Sequence, residues 1–403
     1  MKAIVYRGIG DIRIEDVPEP QLQDPEDAIV RLTATAICGT DLHMVRGTVP
    51  GMRPGTILGH EGAGVVEDLG EDVRNFDIGD RVVICPTIAC GVCSYCRYGY
   101  FSQCDRANPN GPLAGSAYFG GPESSGAFHG LQAERARIPF AHTTMVKLPD
   151  EVSDDQAILL SDIFPTGYFG AVLADIKPGR TVAIFGCGPV GQFAIAGAKL
   201  VDAGRIIAVD TVESRLDMAR AQGAETVNFN EEQPVEAIRR LTGGIGVDRV
   251  IDAVGVDAVR AHSGPAAGDG AAREIFQAEL QELVPQPHPV GDNWHPGDAP
   301  SQALEWAVDA VAKGGRVAII GVYPQTARRF PIGLAMDKNL TVKAGNCNHR
   351  KYIPLLIEKV VSGEVDPTKV LTQLEPLTSG VDAYRAFDTR QSRWMKVELQ
   401  PGI

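Results

Sequence analysis

The stretch TVAIFGCGPVGQFAIAGAK, residues 181–199, constrains this chain more than any other. TVAIF reads as a buried strand and Pro189 onward as a helix, and between them Gly186, Gly188 and Gly191 stand as G-x-G-x-x-G. Alone, that pattern is weak. Here it follows a strand and opens a helix, and Asp210 closes the next strand, RIIAVD, about 20 residues further on, which is the context a dinucleotide fingerprint requires. The glycines allow a tight turn, close approach of backbone to a pyrophosphate, and packing of helix on strand, with the helix N-terminus facing the phosphates. Asp210 is placed to accept from ribose hydroxyls, and a 2′-phosphate would meet its carboxylate, so NAD is expected rather than NADP. A helix over ESRLDMARAQG (213–223) and strands in VDRVIDAVG (247–255) and RVAIIGV (316–322) continue the alternation. The fold class is therefore α/β, with a Rossmann doubly wound parallel sheet.

The first 150 residues read differently. KAIVY, DIRIEDV, AIVRLTATAI, GAGVVEDLG and DRVVICP alternate or are β-branched, with Gly, Pro and Asp between them, so this region is expected to be β-rich. A Gly-, Pro- and Ala-rich stretch at about 257–300 is too long for a simple loop and reads as an insertion carrying one helix at about 271–283. The net charge of −13 disfavours nucleic acid and anionic membrane surfaces as partners. The N-terminus alternates like a strand, and no apolar run approaches the roughly 18–20 residues of a spanning helix. A cytoplasmic protein is the expectation.

In that compartment clustered cysteines point to metal or catalysis rather than disulfides. Cys90, Cys93, Cys96 and Cys104 are spaced C-x2-C-x2-C-x7-C, so four thiolates can close a tetrahedral, structural zinc site. An iron–sulfur cluster is the rival. A closed cage leaves no position for a substrate. ICGTDLH (37–43) and LGHEGAG (58–64) offer Cys38, His60 and Glu61 toward an open one, with Asp41 suited to orient His60 as a supporting carboxylate.

GHEGAGVVEDLG, CGTDLH, the four-cysteine lobe, GCGPVG and DAVG together resemble the zinc-dependent medium-chain alcohol dehydrogenases over nearly the whole length. LLSDIFPTGY (159–168) and the insertion make the chain most similar to the glutathione-independent formaldehyde dehydrogenases. The resemblance implies a GroES-like β-rich catalytic domain at 1–163 and 341–403, with the structural zinc lobe at about 88–106. It implies a Rossmann NAD-binding domain at 164–340, and an active site in the cleft between them. It implies two zinc ions per subunit, the catalytic one held by Cys38, His60 and Asp162 with Glu61 nearby or exchanging. Thr40 and His43 would relay the alcohol proton outward. Val190 and Thr166 would pack beside the nicotinamide, Arg215 would help hold the adenosine end, and Gly321 and Val322 would meet the carboxamide. Where some relatives place a pyrophosphate-binding Arg after the ligand Cys, this chain has Gly39, so that contact would come from elsewhere, with Lys396 as a candidate, or be missing. The insertion would cover the adenine side of the cofactor, or else be a surface elaboration or an oligomer contact. The implied activity is hydride transfer between NAD and a primary alcohol or small aldehyde, formaldehyde included, in a homodimer or homotetramer. A polyol or threonine-type secondary alcohol dehydrogenase and a non-enzymatic binding protein on the same scaffold are the alternatives.

Overall fold

The computed structural model describes residues 1–268 and 270–402. The chain forms two compact units, one of residues 1–165, 288–295 and 346–403, the other of residues 166–287 and 296–345.

The second unit is built on six strands, β1 (Thr181–Phe185), β2 (Arg205–Asp210), β3 (Glu225–Asn228), β4 (Val247–Asp252), β5 (Val311–Ile319) and β6 (Thr341–Ala344), in the order β3-β2-β1-β4-β5-β6. All the pairings are parallel. Neighbouring residues point to opposite faces: Ala183, Phe185, Ile207 and Val209 enter one core, and Val182, Ile184, Ile206 and Ala208 enter another. A sheet covered on both faces needs unbroken apolar strands, which is why these read as continuous hydrophobic runs. The order reverses between β1 and β4, and that switch point is where such sheets bind ligands. One boundary differs from the sequence reading. Thr341–Ala344 pairs with β5, with Thr341 opposite Arg316, so the parallel sheet extends past residue 340.

The stretch read as an insertion holds a helix at Gly270–Leu283. It does not stay with one unit. Residues 288–295 belong to the first unit, where Trp294 is 2% exposed in a core that includes Ile4, Tyr6, Ile12 and Leu399. The backbone N–H of Trp294 donates to Asp388 Oδ2 at 2.7 Å, and Asp388 Oδ1 also takes Arg46 at 2.8 Å. A buried Trp with a satisfied backbone donor fastens this segment through packing and polar contact together.

The first unit centres on the strand Ala28–Ile37. It pairs antiparallel with Gly62–Leu69, Arg135–Ile138 and Val397–Gln400, in a sheet that also holds Arg81–Ile84, Met145–Lys147 and Gln373–Pro376. A hairpin of Lys2–Gly8 and Asp11–Asp16 stands apart. Gly39–Arg46 is among the helices that interrupt the β pattern, with Asp154–Ser161 and, nearer the C-terminus, His349–Val361 and Gly380–Asp388. The first is only eight residues and carries no clear apolar stripe, so periodicity does not reveal it. It is fixed at its start, where Asp41 Oδ2 accepts from the Cys38 N–H at 2.9 Å. Among the described residues no single helix is long and apolar enough to cross a membrane. Asp154–Ser161 and Ile163–Leu173 reach that length only as a pair bent by 43°.

Glu398, on the strand Val397–Gln400, is buried and has its Oε2 without a hydrogen-bond partner. Burial first, then the charge of Asp155, pushes its carboxyl up to about 7. A folded-state pKa above the unfolded one gives stability that is complete below the unfolded value and lost as pH rises through the folded value. Thermal stability should therefore fall between about pH 4.5 and 7 through this group, and Glu398→Gln should flatten that part of the pH–Tm curve. An unchanged slope in the variant would exclude Glu398 as its source.

Candidate active site

Two clusters of ligand-type side chains form within the first unit. In each, the ligand atoms lie within 4.8 Å of one another.

The first is Cys90, Cys93, Cys96 and Cys104. All four are unbridged thiols. Cys93 Sγ lies 3.9 Å from Cys104 Sγ, and Cys104 Sγ accepts the Cys90 N–H at 3.2 Å. The hydrogen bond from Cys96 first, and the backbone N–H groups of Cys90 and Arg106 against burial, pull Cys104 down to about 4. The hydrogen bond to Cys104 first, then burial, pushes Cys96 the other way, and burial pushes Cys90 up as well, so the case for a metal rests on the geometry: four sulfurs this close can close a tetrahedral cage around a cation.

The second is Cys38, His60, Glu61 and Asp162, all buried. Three places in the fold supply it. Cys38 follows the central strand and precedes the helix Gly39–Arg46. His60 and Glu61 precede the strand Gly62–Leu69. Asp162 sits at the break between the helices Asp154–Ser161 and Ile163–Leu173, where an interrupted helix frees a short side chain to turn inward. Asp162 Oδ2 is 3.2 Å from His60 Nε2 and 3.7 Å from Cys38 Sγ.

A supporting layer orients this set. His60 Nδ1 faces Asp41 Oδ1 at 3.0 Å, which leaves Nε2 to point at the cluster, as metal-binding imidazoles are held. Asp41 Oδ2 also receives Gln132 Nε2 at 3.4 Å, and the Tyr384 hydroxyl donates to Gln132 Oε1 at 2.8 Å. The His349 ring meets Asp162 Oδ1 through Nε2 at 2.7 Å. Burial opposes a charged imidazole, yet the charges of Asp41 and Cys38 and the bond to Asp162 hold His60 well above its ordinary value. Burial likewise pushes Asp162 up, but hydrogen bonds from His349 and His60 outweigh it and hold the carboxyl well below its usual range. Two carboxylates, a thiol and an imidazole converge here with their donor atoms within 4.8 Å of one another. The buried Glu61 Oε1 also has no hydrogen-bond partner. Thiol, imidazole and carboxylate at these distances are a donor set that fits zinc.

Two further expectations meet the geometry here. Thr40 Oγ1 lies 3.8 Å from Cys38 Sγ. His43, one turn along the same helix, is buried with Nδ1 3.0 Å from Thr48 Oγ1. Lys396 requires a correction. It is 0% exposed, ion-paired to Glu61, and donates to Ile37 O at 3.0 Å. Its amine is committed inside the first unit, so it is not a surface cation waiting for a phosphate. Lys396 in this role, Gln132, Tyr384 and His349 are the residues that sequence reasoning does not reach. His349 lies in GNCNHR, 187 residues from Asp162, with no spacing that marks it.

In the second unit the fingerprint glycines differ in what they are for. A Cβ on Gly191 would sit 1.9 Å from Gly186 O, and Gly186 itself has φ +88°, so the turn needs both. A Cβ on Gly188 would meet nothing nearer than Arg215 Nη1 at 3.8 Å. The fold does not require a glycine there, so the bare backbone keeps space for something outside the protein. Asp210 accepts from the N–H groups of Cys187, Thr211 and Val212 at 2.7, 2.7 and 2.9 Å, and Arg215 Nη1 lies 3.9 Å away. Val190, Gly321 and Val322 are half-buried, and the turn at Gly255 passes close to Gly321 and Val322.

A Rossmann unit joined to a β-rich unit with a four-thiol cage and a mixed Cys/His/carboxylate cluster defines a metallo-oxidoreductase of the medium-chain dehydrogenase fold. Comparison with known proteins gives the same answer. The family model for the alcohol dehydrogenase GroES-like domain matches residues 24–150, and that for zinc-binding dehydrogenases matches residues 189–265. The chain is 38% identical to an uncharacterized zinc-type alcohol dehydrogenase-like protein of Bacillus subtilis, covering all of both chains. It is 34% identical to a glutathione-independent formaldehyde dehydrogenase of Pseudomonas aeruginosa, covering 96% of this chain and 94% of that one. Among solved structures, an alcohol dehydrogenase from Thermus sp. ATN1 superposes with a TM-score of 0.80 at 32% identity over the whole of both chains. The protein belongs to the zinc-type alcohol dehydrogenase family and is an oxidoreductase.

Proposed function

We propose that the protein transfers hydride between NAD and a primary alcohol or small aldehyde, with one zinc at Cys38, His60 and Asp162 and a second at the four cysteines. The observation that carries this reading is the convergence of those three side chains beside the unpartnered Glu61 Oε1. A zinc held by Cys38, His60 and Asp162 would supply Lewis acidity, and a bound NAD would supply the hydride acceptor. The chain's own residues do the rest. Asp41 keeps His60 in the tautomer that offers Nε2. Thr40, near Cys38, takes the alcohol proton, and His43, held by Thr48, passes it on, a role suited to imidazole. Asp210 and Arg215 hold the adenosine end. Val190, Thr166, Gly321 and Val322 line the nicotinamide end. The four-cysteine lobe takes no part in the reaction and stabilises its own excursion of chain.

The test is NAD reduction by zinc-loaded protein with straight-chain primary alcohols, a secondary alcohol, a polyol, threonine, and formaldehyde without added thiol. Turnover of primary alcohols and formaldehyde alone is the expected result. Preference for the secondary alcohol, polyol or threonine would move the substrate class. The relative of Pseudomonas aeruginosa supports formaldehyde as a candidate, but the higher identity to the Bacillus subtilis protein favours no substrate.

The cofactor side has its own check. Gly188→Ala should leave Tm unchanged, since its Cβ clears the protein, and should raise the Kd for NAD about tenfold or more, because an added methyl in a filled site costs about 1–3 kcal/mol. Equal NAD affinity in the variant would remove the pyrophosphate from this loop. The edge strand β6 is exposed along its whole length, with Met336 and Ile332 exposed beside it in sequence. An uncovered edge of this kind supports the expected homo-oligomer. The cysteines, all unbridged, suit a reducing compartment, which supports a cytoplasmic location.

A further inference from the structure

We propose that His349 is a positioning residue that fixes one carboxylate oxygen of Asp162 and leaves the other for the metal, and that the four-cysteine lobe holds His349 in place through Asn348. The proposal rests on the reading of Asp162 as a ligand.

A carboxylate can present either oxygen or both to a cation, and an aspartate at a helix break has no neighbouring turn to lock it. Here the two oxygens are assigned to different partners. Oδ1 takes His349 Nε2 at 2.7 Å, and Oδ2 faces His60 and Cys38 at 3.2 and 3.7 Å. The His349 ring is itself fixed at its other nitrogen, where Thr87 Oγ1 lies 3.2 Å from Nδ1. With Thr87 donating to Nδ1, Nε2 is the nitrogen that donates to Asp162, so a single tautomer satisfies both contacts.

The placement of His349 comes from the segment before it. Asn348 Oδ1 accepts both the N–H and the hydroxyl of Ser102 at 3.0 Å. The Ser102 hydroxyl also reaches Asn346 O at 3.0 Å, and Asn346 Nδ2 donates to Ser116 Oγ at 2.7 Å. Ser102 lies in the short turn Phe101–Gln103, directly before Cys104. The contacts therefore run without a gap from the lobe to Asn348, from its neighbour His349 to Asp162, and from Asp162 to the cluster. Partners of metal ligands set ligand orientation, and their loss costs about 10–100-fold in metal affinity. The lobe does no chemistry, yet it is the wall against which a ligand of the reactive site is braced.

The experiment is chelator competition on zinc-loaded protein, reading zinc retained per chain, with wild type, Cys38→Ser, His349→Leu, His349→Gln and Asn348→Ala. Cys38→Ser tests the underlying reading alone: it should hold one zinc where wild type holds two, and if it holds two the Cys38 cluster is not a zinc site. Given that, His349→Leu should release its first zinc at about 10–100-fold lower chelator. His349→Gln, whose amide can still donate, should recover most of the loss, and Asn348→Ala should fall between. Wild-type retention in His349→Leu would overturn the proposal, and so would equal losses in the Leu and Gln variants, since the donor would then not matter. If His349→Leu does not fold, as judged by its thermal transition, Thr87→Val removes the group that fixes the ring and is read in the same way.

Discussion

Replacing Asp162 by alanine should lower kcat/KM for whichever alcohol the wild type oxidises by on the order of 10³-fold or more, and should remove one of two zinc equivalents. Lewis-acid stabilisation of a developing alkoxide is worth several kcal/mol, and each 1.36 kcal/mol is a factor of about ten in rate. The loss should be nearly complete because the site has little to fall back on. Glu61 is the one other carboxylate in the cluster, and its second oxygen is tied to Lys396. Cys38 and His60 alone would hold the metal weakly. The side chain is small and sits at a helix break, so the fold should survive its removal. Thermal unfolding in the presence of chelator should therefore be close to wild type. Turnover within about tenfold of wild type, with both zinc equivalents retained, would mean that Asp162 only braces the turn between its two helices. Steady-state kinetics and metal content on the same preparation separate these outcomes.

The parts of this protein legible in its sequence are those whose chemistry is local. The fingerprint glycines, the strand before them and Asp210 lie within one βαβ unit, so spacing alone reports their arrangement. The four cysteines lie close together in the chain and converge by the same logic. The parallel sheet is legible because strands covered on both faces must be apolar throughout. What stays hidden is assembled from distant segments. His349 reaches Asp162 across 187 residues and Lys396 reaches Glu61 across 335, and no local pattern marks either pairing. Lys396 shows the direction of the error. A lysine near the C-terminus reads as a surface cation, and only the fold reveals that it is enclosed. The helix Gly39–Arg46 escapes a reading of periodicity because a polar capping contact, not an apolar stripe, defines it. The stretch at about 257–300 does carry the expected helix, but nothing in its composition indicates that residues 288–295 pack into the first unit, with Trp294 in its core.

Lys396→Met should destabilise the zinc-loaded protein by about 3–5 kcal/mol, the cost of leaving a buried charge without its partner. Both members of the pair are 0% exposed. Burial alone would lower the Lys396 pKa, but Glu61 outweighs it, so the amine is held above its ordinary value. Its loss would strand the Glu61 carboxylate beside Asp162 and take away the donor to Ile37 O, at the end of the strand that delivers Cys38. The double variant Lys396→Met/Glu61→Gln removes both charges and should recover most of the stability, because a neutral amide is far cheaper to bury than an unpaired carboxylate. Urea unfolding at one fixed free zinc concentration reads both variants, so that metal linkage is the same throughout. A loss under about 1 kcal/mol in the single variant would be the size of an exposed pair's contribution and would mean that water reaches the Glu61 carboxylate. An equal loss in the single and double variants would instead trace the effect to the packing of the lysine stem and its bond to Ile37. The recovery isolates the charge itself, and with it what the buried lysine does: it opposes the burial that pushes the Glu61 carboxyl up and keeps that side chain in place at the edge of the Cys38, His60 and Asp162 cluster.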